Sequence, residues 1–341
     1  MNSSIYKVGI IGLGQIAYSI DDDSSRDIIW SHALAYTKHP GTEIVAVCDI
    51  DSNRIDGFKD KYGDLNEYTE YKDMLNEEDL DIISICTPTE YHSEILGEIV
   101  TQSSVKAIFC EKPMAPSDSI ARKMVDLCKD HGIILAVNYM RRWDKRNLAI
   151  KEMIEKKELG NLLSISAYGA TAMLTSASHL IDLVLFFAGK PLWICGDIQT
   201  DFIRKVHGKV DPGGMAFIKF ENGSYAFLKC TSTDPIYYMF ELDLLFAEGR
   251  ITIADDGRNY RQYIFDDVVT STGSGYKSLV ETAAKWDSGK NERMLNAIDD
   301  IIDCIENNGT PKSNGSNAVD VLKVISLVQK SYSNGNETHA F

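Results

Sequence analysis

This 341-residue sequence is short of positive charge, of paired cysteines and of long apolar runs. Its 35 basic residues are outnumbered by 50 acidic ones, for a formal net charge of -15. A chain this acidic lacks the positive face that a phosphate backbone or an anionic bilayer requires, which excludes nucleic acid and membrane as general partners. No segment approaches the ~20 apolar residues that cross a bilayer. The first residues lack the basic region, apolar run and cleavage site of a secretory signal. The 7 cysteines are scattered singly, an odd number without a CxxC pair. They suit a reducing cytoplasm, the expected location, better than a disulfide framework or a structural zinc site. The 7 histidines form no ligand spacing either, so no metal is expected. Internal repeats and low-complexity tracts are also missing.

Apolar residues make up 44% of the chain, ordinary for a globular protein, and the length suits two domains. Up to about residue 137, short runs rich in Ile and Val ("KVGII", "EIVAVCD", "DIISICT", "VKAIFCE", "GIILAVN") alternate with stretches of helical spacing ("SNRIDGFKDKYG", "EYHSEILGEIVTQ", "SDSIARKMVDLCKDHG"). The runs lack polar alternation, as strands buried on both faces do. Repeated βα units predict an N-terminal α/β domain, residues 1–125, built as a Rossmann doubly wound parallel sheet. Asp51-Ser52 and Ser117-Asp118 read as helix starts, Gly63 and Gly132 as stops.

Past residue 160 the pattern changes to strands joined by tight turns: "LLSISAYGA", "GMAFIKFENGSYAFLKC", "YYMFELDLLFAEGRITIAD" and "YRQYIFD". Asn222-Gly223 is a strong hairpin signal. The helical "SASHLIDLVLFFAG" interrupts the strands, and "NERMLNAIDDIIDCIENNG" and "NAVDVLKVISLVQKSY" close the chain as amphipathic helices. An α+β domain is therefore expected over residues 126–341, with a mostly antiparallel open sheet covered by helices on one face. The other face would be left for a partner subunit, giving a homodimer or homotetramer.

The motif Gly12-Leu13-Gly14-Gln15-Ile16-Ala17 is a GxGxxA loop after the first strand. Gly12 allows a tight turn, Gly14 lets the main chain approach a diphosphate, and Ala17 keeps helix and strand close. Glycine turns without a ligand are common; its place in a βα series points to a dinucleotide, with Gly12, Gly14, Gln15 and Ile16 as candidate contacts. Asp49 ends the second strand and is either the candidate acceptor for the adenosine ribose hydroxyls or a helix-start residue. Asp51 follows and no base is adjacent before Arg54, so NAD is expected rather than NADP. Asp49 lies 35 residues after Gly14, against about 20 in the usual pattern. The surplus maps to residues 18–31, "YSIDDDSSRDIIWS", read as an insertion that is either a lid or a plain surface loop.

Glu111-Lys112-Pro113 follows the run "VKAIFC", at the carboxyl end of the sheet where open α/β folds bind ligands. A lysine there can hydrogen-bond a substrate hydroxyl and share in proton transfer, or be only solvated surface charge, and position alone does not decide between them. Taken with GLGQIA, CTPTEYH and the later SHLID, in that order, the sequence resembles the glucose–fructose oxidoreductase / inositol dehydrogenase / rhizopine-catabolism (Gfo/Idh/MocA) family over essentially its whole length. That resemblance implies an NAD(P)-dependent dehydrogenase acting on a sugar, cyclitol or sugar nucleotide. It implies that Thr87-Pro88 lies along the cofactor, followed by His92, with Glu111 also on the cofactor side. It casts Lys112 as the residue on the reacting hydroxyl, with Pro113 in a segment often cis in relatives. It matches His32 to the segment after the glycine loop and Arg141 and Arg142 to a substrate-side arginine region. His179 matches the general acid/base, with Asp182 one turn later. One departure stands out: relatives commonly carry an acid four residues before that histidine, and here the position is Thr175, which can hydrogen-bond a hydroxyl but bears no charge.

The basic cluster "RRWDKR", residues 141–146, suits either a phosphorylated, nucleotide-linked or acidic sugar or a solvated face at a domain junction. Trp143 and Tyr139 could stack on a sugar or fill the core. The expected reaction moves a hydride between a secondary alcohol carbon and NAD, with Lys112 and His179 handling the hydroxyl proton. Two alternatives share the fold: glycoside cleavage through transient oxidation and elimination, and a dinucleotide-binding regulator without catalysis.

Overall fold

Val8, Ile10 and Ile11, Ile82, Ile83 and Ile85, and Ile108, Phe109 and Cys110 are each 2% exposed or less, which is why their runs carry no polar alternation: helices cover both faces of their sheet. The computed structural model describes residues 5–202, 205–206, 209–231, 239–266, 277–284, 286 and 291–341. The chain divides into two compact units, residues 1–145 with 289–320, and residues 146–288 with 321–341.

The first unit holds six parallel strands: β1 (Tyr6–Ile11), β2 (Thr42–Cys48), β3 (Asn66–Tyr68), β4 (Ile82–Ile85), β5 (Ala107–Cys110) and β6 (Ile134–Val137). Their order, β3-β2-β1-β4-β5-β6, is doubly wound, and the direction in which successive strands are added reverses between β1 and β4. The connecting helices are α1 (His32–Lys38), α2 (Ser52–Tyr62), α3 (Tyr71–Glu77), α4 (His92–Gln102) and α5 (Asp118–Asp130). Asp51 caps α2 by accepting from Asn53 N, and Gly63 ends it at φ +89°. Ser117 caps α5 by accepting from Ile120 N. β3 and α3 escape the sequence pattern because a three-residue strand and a seven-residue helix are too short to show a period.

Two expectations need correction. The boundary at residues 125/126 cuts through α5 and separates β6 from β5, its parallel neighbour, whereas the units divide after Lys145. The helix α8 (Arg293–Asn307), expected in the second domain, belongs to the first. There Asp300 accepts from the Trp143 indole N–H at 2.9 Å, and the Arg293 guanidinium donates to Asp144, also at 2.9 Å, in buried surroundings.

The second unit opens with α6 (Lys145–Lys156), whose first residue is the last of the first unit, and is built on a nine-stranded sheet. The strands are β7 (Leu162–Gly169), β8 (Pro191–Ile198), β11 (Gly214–Phe220), β12 (Tyr225–Cys230), β13 (Phe240–Phe246), β14 (Gly249–Ala254), β15 (Asn259–Asp266), β16 (Ser278–Thr282) and β17 (His339–Ala340); β9 (Lys205–Val206) and β10 (Lys209–Val210) form a separate hairpin. All pairings are antiparallel except β7 with β12. The Asn222-Gly223 turn joins β11 to β12, with Gly223 at φ +90° and the Asn222 side chain accepting from Ser224 N. Helix α7 (Ala177–Ala188) follows β7, and α9 (Gly315–Ser333) enters this unit from residue 321. Tyr237 and Tyr238, read as the head of a strand, lie outside the described residues.

Candidate functional site

The glycine loop leaves β1 at the point where the strand order reverses. Gly12 has φ +88°, and a Cβ there would stand 2.7 Å from Thr87 N and 2.8 Å from Cys86 C. Both its conformation and its closeness to the turn after β4 demand glycine. Gly14 differs: its φ is -80°, which any residue adopts, and a Cβ would meet no described atom within 4 Å. Nothing in the surrounding protein packing requires a glycine there. The space beside it fits a group the chain does not supply, and a dinucleotide's diphosphate is such a group. Beside the same loop, the buried Thr87 Oγ1 has no hydrogen-bond partner among the described residues. These features fit NAD.

The expected helix after the loop is interrupted. Gln15–Ser19 form one π-type turn and Ile20–Asp22 a 3-10 turn, and the first α-helix begins only at His32. Residues 18–31 are held in place: Asp21 accepts from Trp30 N and Ser31 N, both at 2.9 Å, Asp22 pairs with Lys61, and Tyr18 packs edge-on against Phe58. Gln15 is exposed, while Ile16 leans on the hydrophobic core.

Asp49 grips the loop itself. Its Oδ2 accepts from Leu13 N at 2.6 Å and its Oδ1 from Asp51 N at 2.9 Å. The Arg54 guanidinium lies 3.6 Å from Asp49 and 3.8 Å from Asp51, so the first base after the two acids reaches both.

At the carboxyl ends of β4, β5 and β6 the first unit gathers a buried polar network. Glu111 Oε1 accepts from His32 Nε2 at 3.0 Å and from Asn138 Nδ2 at 2.6 Å, and its Oε2 accepts from Lys112 N at 3.2 Å. His32 Nδ1 meets Ser84 Oγ at 3.0 Å, and Ser84 Oγ meets Tyr36 OH at 2.9 Å. Burial pushes the Glu111 carboxyl up. The hydrogen bond and charge of His32, the Lys112 ammonium and the Asn138 amide more than offset this and hold it below its ordinary value. Glu111 is thus an ionised acceptor, and His32 Nε2 carries the hydrogen between them. The Lys112-Pro113 peptide is cis.

Both ring nitrogens of His92 meet main-chain carbonyls. Its Nε2 lies 2.8 Å from Thr87 O and its Nδ1 3.2 Å from Met114 O, joining the turn after β4 to the segment after β5. Burial pushes its imidazole below the ordinary value, against the hydrogen bonds to both carbonyls. Pro88 is exposed and precedes the 3-10 turn Thr89–Tyr91.

Arg141 and Arg142 sit on the 3-10 turn Met140–Trp143, 4% and 6% exposed and engaged rather than free. Trp143 is core: it packs edge-on against Phe109, and Asp300 takes its N–H. Tyr139 is fully buried. Arg146 donates to Gly257 O at 3.1 Å and covers the Tyr260 ring, so the basic cluster does not act as one patch.

In the second unit, α7 carries His179, 8% exposed, and the fully buried Asp182 one turn on. The Thr175 hydroxyl donates to Ala172 O at 3.3 Å. Sequence reasoning missed Asp211, a buried acid just before β11. Its carboxylate accepts from Leu174 N at 2.9 Å and from Thr175 N at 3.1 Å, so a negative charge reaches the turn before α7 from another part of the chain. It also missed Ser84 and Asn138, although both stand out as polar residues in apolar runs.

Six of the seven cysteines are buried. Burial pushes Cys48, Cys128 and Cys230 up to about 12 and Cys304 up to about 11, leaving weakly nucleophilic thiols. Among the described residues no cluster of His, Cys, Asp and Glu could hold a metal ion, and no helix is long and apolar enough to cross a membrane.

Two family models match the chain. Residues 6–139 match the Gfo/Idh/MocA oxidoreductase family, NAD-binding Rossmann fold, and residues 166–252 the Gfo/Idh/MocA C-terminal domain. The oxidoreductase YrbE of Bacillus subtilis is 26% identical over 266 residues, 73% of this chain and 74% of that one. Inositol 2-dehydrogenase of Salmonella typhimurium is 30% identical over 161 residues, which span 47% of this chain and only 44% of that enzyme. In structure, the WlbA dehydrogenase from Bordetella pertussis, solved with NADH and UDP-GlcNAcA, superposes with a TM-score of 0.77 at 17% identity, covering 99% of both chains.

Proposed function

Because the chain belongs to the Gfo/Idh/MocA oxidoreductase family, we propose that it oxidises a secondary alcohol of a sugar, sugar acid, cyclitol or nucleotide sugar to a ketone with NAD, or runs the reverse. The observation that carries this reading is the Glu111-Lys112-Pro113 segment at the end of β5, tied by Asn138 and His32 into the unit that bears the glycine loop. The similarity to inositol 2-dehydrogenase, and the nucleotide sugar bound by the structural neighbour, support a polyhydroxylated substrate.

Bound NAD would supply the hydride acceptor. The chain supplies position and charge. Main-chain N–H groups of residues 14–16 would face the diphosphate, with Gly14 giving it room, and Asp49, while holding Leu13 N, keeps lone pairs for the adenosine ribose. Lys112 donates from its ammonium to the reacting oxygen and stabilises negative charge developing there. His179 takes the hydroxyl proton, with Asp182 on the same face of α7 to orient it. Arg141 and Arg142 contribute positive charge on the substrate side.

The test is a screen of free sugars, sugar acids, cyclitols and nucleotide sugars for nicotinamide absorbance. Lys112→Ala and His179→Ala are each expected to lower kcat by roughly 10²-fold or more, while NADH still binds. An unchanged rate in either variant removes that residue from the mechanism. Net accumulation of NADH during turnover separates alcohol oxidation from cleavage through transient oxidation.

A further inference from the structure

The amide of Asn138 has one end committed and the other open. Glu111 accepts at 2.6 Å, and an ionised carboxylate can only accept, so the Asn138 atom facing it is the NH2 group. A flipped amide would set two acceptors against each other at that distance. The polarity of the network therefore fixes Oδ1 on the opposite side of the group. Asn138 is 3% exposed, and its Oδ1 has no hydrogen-bond partner among the described residues. A buried carbonyl oxygen held in this way is an acceptor waiting for an N–H or O–H donor.

The sheet order says which part of a dinucleotide comes near it. With the diphosphate at the loop after β1 and the adenosine ribose toward Asp49 after β2, the nicotinamide half must run the other way, over the ends of β4, β5 and β6. Thr87, Lys112 and Asn138 follow those three strands. The nicotinamide ring carries a single group with N–H donors, its carboxamide.

We infer that Asn138 orients the cofactor: its Oδ1 accepts a hydrogen bond from the carboxamide N–H of the nicotinamide. Held there, the ring cannot turn over about its glycosidic bond without losing the contact, so one face of the nicotinamide is kept toward the substrate. Glu111 thereby serves two neighbours, Lys112 through its charge and Asn138 through the orientation it imposes. The inference rests on NAD binding and needs no knowledge of the substrate.

The test is calorimetric titration of the full-length protein and its Asn138→Ala variant with three ligands. These are NADH, the reduced 3-acetylpyridine analogue in which a methyl group replaces the carboxamide NH2, and ADP-ribose, which lacks the ring. The wild type is expected to bind NADH roughly tenfold more tightly than the acetylpyridine analogue, about the worth of one buried hydrogen bond. Asn138→Ala is expected to lose that preference and to bind ADP-ribose as the wild type does. Equal wild-type affinity for NADH and the analogue overturns the inference, and would be the result if a substrate hydroxyl meets Oδ1 instead. Equal weakening of all three ligands in the variant also overturns it, because the residue would then act only on the fold. The analogue comparison on the wild type decides the matter even if the variant fails to fold. If the wild type binds neither NADH nor ADP-ribose, the dinucleotide reading itself fails and takes the inference with it; NADH binding without preference removes the inference alone.

Discussion

Two glycines two residues apart do different work, and single substitutions separate them. A methyl group at residue 12 meets main-chain atoms of residues 86 and 87 within 3 Å, and the backbone there has φ +88°. Neither neighbour is the end of a flexible side chain, so the strain cannot be relieved locally. Gly12→Ala is expected to lower stability by about 1–3 kcal/mol and to disturb Thr87 beside it, visible as a drop in Tm and a loss of NADH binding. Gly14→Ala introduces its methyl group into space bordered by no described atom, at an ordinary φ. Its Tm is expected to stay at the wild-type value while NADH affinity falls at least about tenfold, the order of one lost hydrogen bond or close contact. If Gly14→Ala binds NADH normally, the diphosphate does not lie against this loop.

Among the secondary-structure elements, the network around Glu111 ties α1, β4, β5 and β6 together at the ligand end of the sheet. Removing the carboxylate leaves His32 Nε2 and Asn138 Nδ2 buried without their acceptor, so Glu111→Ala is expected to cost about 3–5 kcal/mol in chemical unfolding. The pH dependence has a definite sign. The folded carboxyl is held below its ordinary value, so its contribution is fully present above the unfolded carboxylate range and is lost as pH falls through the folded value. The stability difference between wild type and Glu111→Gln is therefore expected to shrink in acid, and a difference independent of pH would show that the charge is not what the network holds. This network also marks the limit of what the sequence reveals. The βα alternation, the Asn222-Gly223 hairpin and the caps at Asp51 and Ser117 are local patterns with local causes, and they are legible in the residues. Lys112 was singled out by its place after a recognisable strand together with the family resemblance. Asn138, Ser84 and Asp211 act across the fold, 27 residues from Glu111, 52 from His32 and 36 from Thr175, and no spacing rule joins such pairs. The placement of α8 was hidden for the same reason. Its amphipathic face fits either unit, and the choice falls to Trp143 and Asp144, which find Asp300 and Arg293 only in the folded chain.

For the whole molecule, the open question is what covers the outer face of the second unit's sheet. Along β11 and β12 the residues alternate strictly: Ala216, Ile218, Ala226 and Leu228 are buried, while Met215, Phe217, Tyr225 and Phe227 are each about two-fifths exposed, 39–44%. Phe217 stacks on Tyr225 with centroids 5.5 Å apart, and Trp193 adds a third ring, so the exposed residues form one apolar patch. Such a patch on a folded chain marks an interaction surface. Charge argues for its occupant. Lys219 and Lys229 lie on the β11–β12 side of the patch, and Glu241 and Asp243, the latter already paired with Arg250, lie across β7 on β13, in register on the same face. A second copy related by a two-fold axis would set each basic side against the partner's acidic side, which is the self-complementarity an isologous interface needs. We propose that two copies pair through this face, as dimers or as the halves of a tetramer. Light scattering of the wild type is expected to give a mass of two or four chains, and Phe227→Glu, which buries a charge at the patch centre, is expected to give half of it. The variant should still bind NADH, because the glycine loop belongs to the other unit. A wild-type mass of a single chain, or a Phe227→Glu variant that keeps its assembly, would place the contact elsewhere.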